Sequence, residues 1–198
     1  VEKDWGDRST VHLGVFRNEV KDLISTYWTG KLTDDDPDLY PGVKGDMVMA
    51  YENIPEATLQ GVELYGSHRL GKNIYLNAGY TFLDAKDKTN GTRLKDRAKH
   101  QVTFGVSYQP ENIYAWDLSF DLVSNFGYYF NNGDKSTMGN FVYETKDFTI
   151  ANIMASRHLN KDTKIYLGID NISNHQNFGP YSDGNLGRLY RVGMEYKF

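Results

Sequence analysis

The sequence predicts an all-β fold: an antiparallel, up-and-down transmembrane β-barrel segment of about eight strands, with short periplasmic turns and long extracellular loops. Three observations predict it. Apolar side chains recur at every second position through one segment after another, the period of strands whose successive side chains face opposite sides. The connections between these segments alternate short and long, as hairpins do when turns gather at one end and loops at the other. The opposite face of the strands carries charges, which a dry interior tolerates only when they are tightly paired and a wet lumen solvates.

In chain order, residues 1–8 read as the inside of a hairpin. Residues 10–16 alternate on Val11, Leu13 and Val15, with extended structure running on toward Trp28. Around residues 17–21 the alternation fails, either through a bulge or because the chain leaves the apolar layer. Residues 58–67 are anchored by Val62 and Leu64. Residues 74–82 set Ile74, Leu76, Ala78, Tyr80 and Phe82 against Tyr75, Asn77, Gly79 and Thr81. Residues 99–109 set Val102, Phe104, Val106 and Tyr108 against Thr103, Gly105 and Ser107. Residues 116–128 set Leu118, Phe120, Leu122 and Phe126 against Asp117, Ser119, Asp121 and Asn125. Residues 148–159 are apolar on both faces, with Ile150 and Ile153 out of phase. Residues 164–170 alternate on Ile165, Leu167 and Ile169, and the final strand on Tyr190, Val192, Met194, Tyr196 and Phe198. Long connections are expected near 30–53, 84–98, 131–147 and 173–187, and short ones near 69–73, 110–114 and 159–163. Orienting the strands from Phe198 at the short-turn end gathers Tyr108, Tyr114, Trp116, Tyr196 and Phe198 at one rim. Tyr80, Phe82, Phe126, Tyr128 and Tyr190 fall near the other, giving two aromatic girdles.

Composition excludes several classes. The 198 residues carry 22 Lys and Arg against 26 Asp and Glu, a net charge of −4, which lacks the basic footprint a nucleic-acid binder needs. With no Cys there is no disulfide framework, thiolate metal site or cysteine nucleophile. No segment approaches the ~20 apolar residues of a membrane helix. Aromatic residues make up 14% of the chain beside 19 Gly, which suits many strands joined by polar loops.

The segment at 53–87, NIPEATLQGVELYGSHRLGKNIYLNAGYTFLDAKD, resembles the C-terminal barrel of TonB-dependent outer-membrane receptors. Gly61, Val62, Glu63, Tyr80, Thr81, Leu83, Asp84 and Ala85 carry the match. FRNEVKDLIS at 16–25 looks like the preceding strand, RLKDRAKHQVTFGVSYQ at 93–109 the following loop and strand, and 168–198 the closing hairpin with its terminal Phe. The resemblance implies import of a scarce metal complex, such as a ferric siderophore, haem or cobalamin, through a barrel of the cell outer membrane. It implies that residues 1–198 are a C-terminal part of such a receptor, without its plug domain, earlier strands or TonB box. Contact with TonB would then lie outside this chain. The remaining expected partners are outer-membrane lipid and lipopolysaccharide, the barrel-assembly machinery and a metal-chelate ligand, with no nucleic acid. The alternatives are a self-contained eight-stranded outer-membrane protein with a structural or adhesive role and, less favoured, an enzyme using Asp84, Asp87 and His100.

Candidate ligand-binding residues at the long-loop end are Arg93, Lys95, Arg97, Tyr129, Tyr143 and Tyr181, cations for an anionic chelate and rings that stack on it. The basic run at 93–100 suits lipopolysaccharide phosphates as well, or simply a solvated loop. Val192, Met194, Tyr196 and Phe198 resemble the terminal signal read by the barrel-assembly machinery. Asp34, Asp35, Asp36 and Asp38 read as a solvated loop tip rather than a Ca²⁺ site, for they lack the spacing and Gly of a calcium loop. The five His show no ligand spacing, so no metal, cofactor or catalytic set is expected.

Overall fold

The computed structural model describes residues 1–32, 47–132, 142–176 and 187–198. The alternating segments hydrogen-bond into one nine-stranded sheet in which every strand pairs antiparallel with its sequence neighbour. The strands are β1 (Glu2–Trp5), β2 (Ser9–Leu32), β3 (Met47–Leu70), β4 (Ile74–Asp87), β5 (His100–Tyr108), β6 (Asp117–Asn132), β7 (Val142–His158), β8 (Thr163–Asp170) and β9 (Leu189–Tyr196). All the expected strands are present, and β1 adds a short one, closed onto β2 by the turn Gly6–Arg8. The sheet runs from β1 to β9 without those two meeting, so it is open.

The turns at 6–8, 71–73, 109–116 and 159–162 lie at one end of the sheet, and the strand ends that lead into the longer connections lie at the other. Several strands extend well past their expected limits. β2 and β3 each run 24 residues, far beyond the ~9–11 that cross a bilayer, so strand replaces the loop expected at 47–53. β6 and β7 likewise stay paired to Asn132 and Val142. The upper halves of these hairpins form arms above the apolar band.

The register joins the apolar positions into one face. Val15 lies opposite Val62, Val62 opposite Phe82, Leu76 opposite Val106, Phe104 opposite Leu122, Phe120 opposite Ile153, Ile153 opposite Ile169, and Leu167 opposite Val192. In this lipid-facing wall Phe104, Ile153 and Leu167 are 40–44% exposed and Val62, Leu76, Phe120 and Leu122 are half-buried by their neighbours, while Val15 and Val192, at the sheet's open edges, reach 79% and 81%. The same pairing resolves β7: Ile153 belongs to this wall, whereas Ile150 pairs with Val123 on the other face.

The lapse at 17–21 is not a bulge. Ser9–Trp28 keep one unbroken register against β3, and the shift falls only between Trp28 and Leu32. At Asp22, whose φ is +55°, and opposite Pro55, the ladder lacks one rung. Val20 and Leu23 consequently pack on the same cluster although three residues apart. The side chains change phase where the arm leaves the apolar layer. A true bulge sits in β6, between Asn125 and Tyr128, where Gly127 takes φ +60° and its N–H donates to Asp147 Oδ1 at 2.7 Å.

The inner face is spaced by glycines set across from large side chains. Gly79 pairs with Tyr65, Gly105 with Asn77 and Gly193 with Tyr166. A Cβ at Gly105 would lie 2.6 Å from Asn77 Oδ1, and one at Gly193 would enter the Tyr166 ring. Gly61 is confined by backbone as well, because its Cβ would strike the Phe82 carbonyl oxygen and stand 2.9 Å from Phe16 Cζ. Gly61→Ala is therefore expected to destabilise the sheet by about 1–3 kcal/mol, the usual cost of overpacking. Gly66→Ala, whose Cβ would meet nothing nearer than 3.7 Å, should be close to neutral. Unfolding midpoints in urea, followed by the heat-modifiable mobility of the folded protein, check the contrast.

Candidate functional site

The long-loop end is organised by Leu94. Ala57 of β3 and Ala85 of β4 are fully enclosed beneath it, and Val20, Leu23, Ile54, Leu59 and Leu83 pack around this small core. Alanines here leave the space that Leu94 fills, so residues 88–99 fold back over the sheet. Main-chain bonds fasten both sides. Leu94 N donates to Ala85 O at 2.9 Å and Asp87 N to Thr92 O at 2.9 Å, while Asp96 N donates to Tyr129 O at 2.7 Å and Tyr129 N to Arg97 O at 3.1 Å. Asp87 Oδ1 accepts from Thr89 N at 2.7 Å and Gly91 takes φ +73°, which together make the tight turn.

Arg93 is a fastener as well as a cation. Its Nη2 donates to Gly127 O at 2.6 Å and to Arg97 O at 3.1 Å, and its guanidinium lies 5.5 Å from the Tyr129 ring centroid. Burial pushes its pKa below the ordinary value, yet a guanidinium remains protonated in proteins. Arg97 Nη1 donates to Lys95 O at 2.8 Å, and Lys95 Nζ lies 3.6 Å from Glu52 Oε1.

Between this loop, the β2–β3 arm and Tyr129 lies a cleft of about 570 Å³. Arg93, Lys95, Arg97 and Tyr129 all line it, so the fold sets Tyr129 against the basic run that the sequence nominated apart from it. Glu52, Asp87 and Asp96 bring three carboxylates to the same wall. Tyr51 and Glu52 were missed, because residues 47–53 read as loop; their signal was the β-forming run MVMAY, which continues the strand downward. Tyr143 sits in β7 opposite Asn131 in the β6–β7 arm. Tyr181 lies outside the described residues, as do Asp34, Asp35, Asp36 and Asp38.

The residues weighed for catalysis do not converge. Asp84 pairs with Lys86 at 3.0 Å, Asp87 is committed to its turn, and His100 Nδ1 meets the Tyr80 hydroxyl at 2.8 Å, in register between Phe82 and Phe126. No group of three or more His, Asp or Glu that could hold a metal occurs among the described residues.

A second built turn follows β8. Asn171, φ +49° and 5% exposed, donates its N–H to Asn152 Oδ1 at 2.9 Å and its Nδ2 to His175 O at 2.8 Å, while its Oδ1 accepts from His175 N at 3.0 Å. His175 stacks on Phe148 at 5.5 Å, and burial followed by the Lys146 charge lowers its pKa. In β9, Val192, Met194 and Tyr196 project from one face, and Phe198 packs edge-on to Tyr196 at 5.1 Å.

Comparison with known proteins agrees with this architecture. The chain is 30% identical over 108 residues to the Heme/hemopexin utilization protein C of Haemophilus influenzae, covering 52% of this chain and 15% of that protein. It is 27% identical over 149 residues to the Vitamin B12 transporter BtuB of Photobacterium profundum, covering 74% and 22%. The crystal structure of the siderophore receptor PirA from Acinetobacter baumannii superposes with a TM-score of 0.66 at 19% identity, over 98% of this chain and 30% of that one. The chain thus spans less than a third of each of these relatives. Residues 2–172 match the family described as TonB dependent receptor-like, beta-barrel, and the chain belongs to that family of outer-membrane β-barrel proteins.

Proposed function

We propose that the chain forms part of the barrel wall of a receptor for TonB-dependent uptake of an anionic metal chelate, a haem or a ferric siderophore. The carrying observation is the cleft at the long-loop end, where Lys95 and Arg97 stand beside Tyr51 and Tyr129. Guanidinium and ammonium groups suit the carboxylates of such chelates, and the rings offer stacking surfaces. Glu52, Asp87 and Asp96 share the cleft with these cations and Lys95 pairs with Glu52, so Arg97 carries the attraction for an anionic chelate in this reading. In this reading TonB is contacted through a region outside these strands.

The open sheet bears on the size of the assembly. Its first and last strands each present an unpaired edge, and such edges are untenable in hydrocarbon. We propose that further strands close them into a wider barrel, with the charged inner face toward its lumen. An antibody against residues 93–100 should detect a band several times larger than 22.7 kDa in isolated outer membranes. A band at 22.7 kDa would overturn the wider barrel in favour of a small self-contained one.

Cargo is tested on outer membranes carrying the native protein, with radioiron-loaded siderophores, haemin and cyanocobalamin as probes. Saturable retention of haemin or a ferric siderophore is expected, and Arg97→Glu should weaken it about tenfold, or 1.4 kcal/mol. Retention of cyanocobalamin alone, or of none of the probes, would sink the reading. Arg93→Lys should act differently, loosening the loop by removing its paired carbonyl contacts, and so speed proteolytic cutting within 88–99.

β9 is proposed to serve as the assembly signal through its spaced apolar side chains and the Phe198 ring packed on Tyr196. Phe198→Ala should lower the fraction of newly made protein that reaches the heat-modifiable folded form, with the midpoint of unfolding of the folded fraction unchanged. Equal assembly kinetics in pulse-chase would refute that role.

A further inference from the structure

The lipid-facing wall is not uniformly rough. Gly66 of β3 pairs with Ala78 of β4, so two of its smallest side chains meet in register at one place. Leu64, Leu76 and Phe104 rise around them, and the result is an apolar depression of about 860 Å³. Nothing in the backbone demands glycine at Gly66. Its φ is not in the left-handed region, and a Cβ would find only ordinary contacts, 3.7 Å from Thr10 O and Val11 Cγ2. The inner-face glycines Gly79, Gly105 and Gly193 are required by the side chains over them, whereas Gly66 leaves space that no protein atom fills.

The depression carries a polar pair at each end, the Tyr80 hydroxyl on His100 Nδ1 at 2.8 Å toward the long loops and a second pair toward the short turns, where the cation also lies. It runs down the sheet from Tyr80 past Leu76, about 13 Å at strand rise, toward the short-turn rim. There Ser9 Oγ and His68 Nδ1 are hydrogen-bonded at 2.7 Å, and Trp5 forms the adjacent wall. Lys3 Nζ lies over the Trp5 ring at 5.1 Å from its centroid, and Lys3 pairs with Val11 on this same face. A Lys beside a Trp marks the level of lipid headgroups, where the ammonium meets phosphate and the ring straddles the boundary.

We propose that this depression is a slot for one acyl chain of a glycerophospholipid of the periplasmic leaflet, with Lys3 and the Ser9–His68 pair toward its phosphate. The apolar floor, the cationic rim at one end and the position within the membrane band specify the occupant together. The site faces away from the cleft and stands whatever the cargo.

The test uses the native protein reconstituted in phosphatidylethanolamine vesicles containing a phosphatidylglycerol with a diazirine in its acyl chain. After irradiation, adducts are expected to concentrate on the peptides spanning 61–69 and 74–82. Gly66→Leu fills the floor and should cut that yield about tenfold, while labelling of 163–170, elsewhere on the same band, stays unchanged. Ala78→Leu serves where Gly66→Leu fails to insert. Lys3→Ala should lower labelling by the anionic probe more than by a phosphatidylcholine analogue. Even labelling around the whole band, or a yield indifferent to filling the floor, would overturn the proposal. Equal labelling by a lipid A probe would overturn the leaflet.

Discussion

Everything in this molecule depends on one constraint: a main chain crossing hydrocarbon must find hydrogen-bond partners for all its amides within the protein. The sheet meets it by pairing each strand with its sequence neighbour, and the period-two alternation follows because each strand then has one wall facing lipid and one facing the interior. The exposed Val15, Val192 and Phe104 would be a liability in water; here they are the proper outer surface. Stability comes mainly from the ladder and cross-strand pairs rather than from a central core, which accounts for how few side chains are fully enclosed among the described residues.

On the inner face the governing relation is between glycines and bulky neighbours. Tyr65 over Gly79, Asn77 over Gly105 and Tyr166 over Gly193 let long polar side chains lie flat along the sheet instead of jutting from it. Where the apolar band ends, a different device takes over. Ala57 and Ala85 give way to Leu94, and a loop that would otherwise be solvated becomes a packed element with a cleft beside it.

Much of this was legible in the sequence. Wherever one face meets lipid, side-chain alternation is strict, and the register of β4, β5, β6, β8 and β9 follows from it. Legibility fails where that constraint lapses. Above the band both faces of β2 and β3 meet water or other protein, so Tyr51 and Glu52 carry no simple period and their part of the strand was read as loop. β1 is only four residues long, too short for alternation to register. The phase change at Asp22 imitates a bulge in sequence, and only the unbroken register against β3 on either side of it distinguishes the two. For the cleft, residue type sufficed to nominate Arg93, Lys95, Arg97 and Tyr129. That Arg93 is spent largely on the carbonyls of Gly127 and Arg97 depends on the bulge at Gly127, a contact 34 residues away that no local pattern encodes.

The loop over 88–99 is fastened by its own main chain and by a single apolar plug, not by most of the side chains that line the cleft. Arg97 meets the scaffold through its main chain, which pairs with Tyr129 as any residue there would, whereas Lys95 meets β3 by its side chain, 3.6 Å from Glu52 Oε1. Descendants of this chain can therefore exchange the Arg97 side chain and acquire new chemical preferences at the mouth while inheriting an unaltered frame. Leu94, Ala57, Ala85 and Arg93 are the positions at which such drift would be arrested.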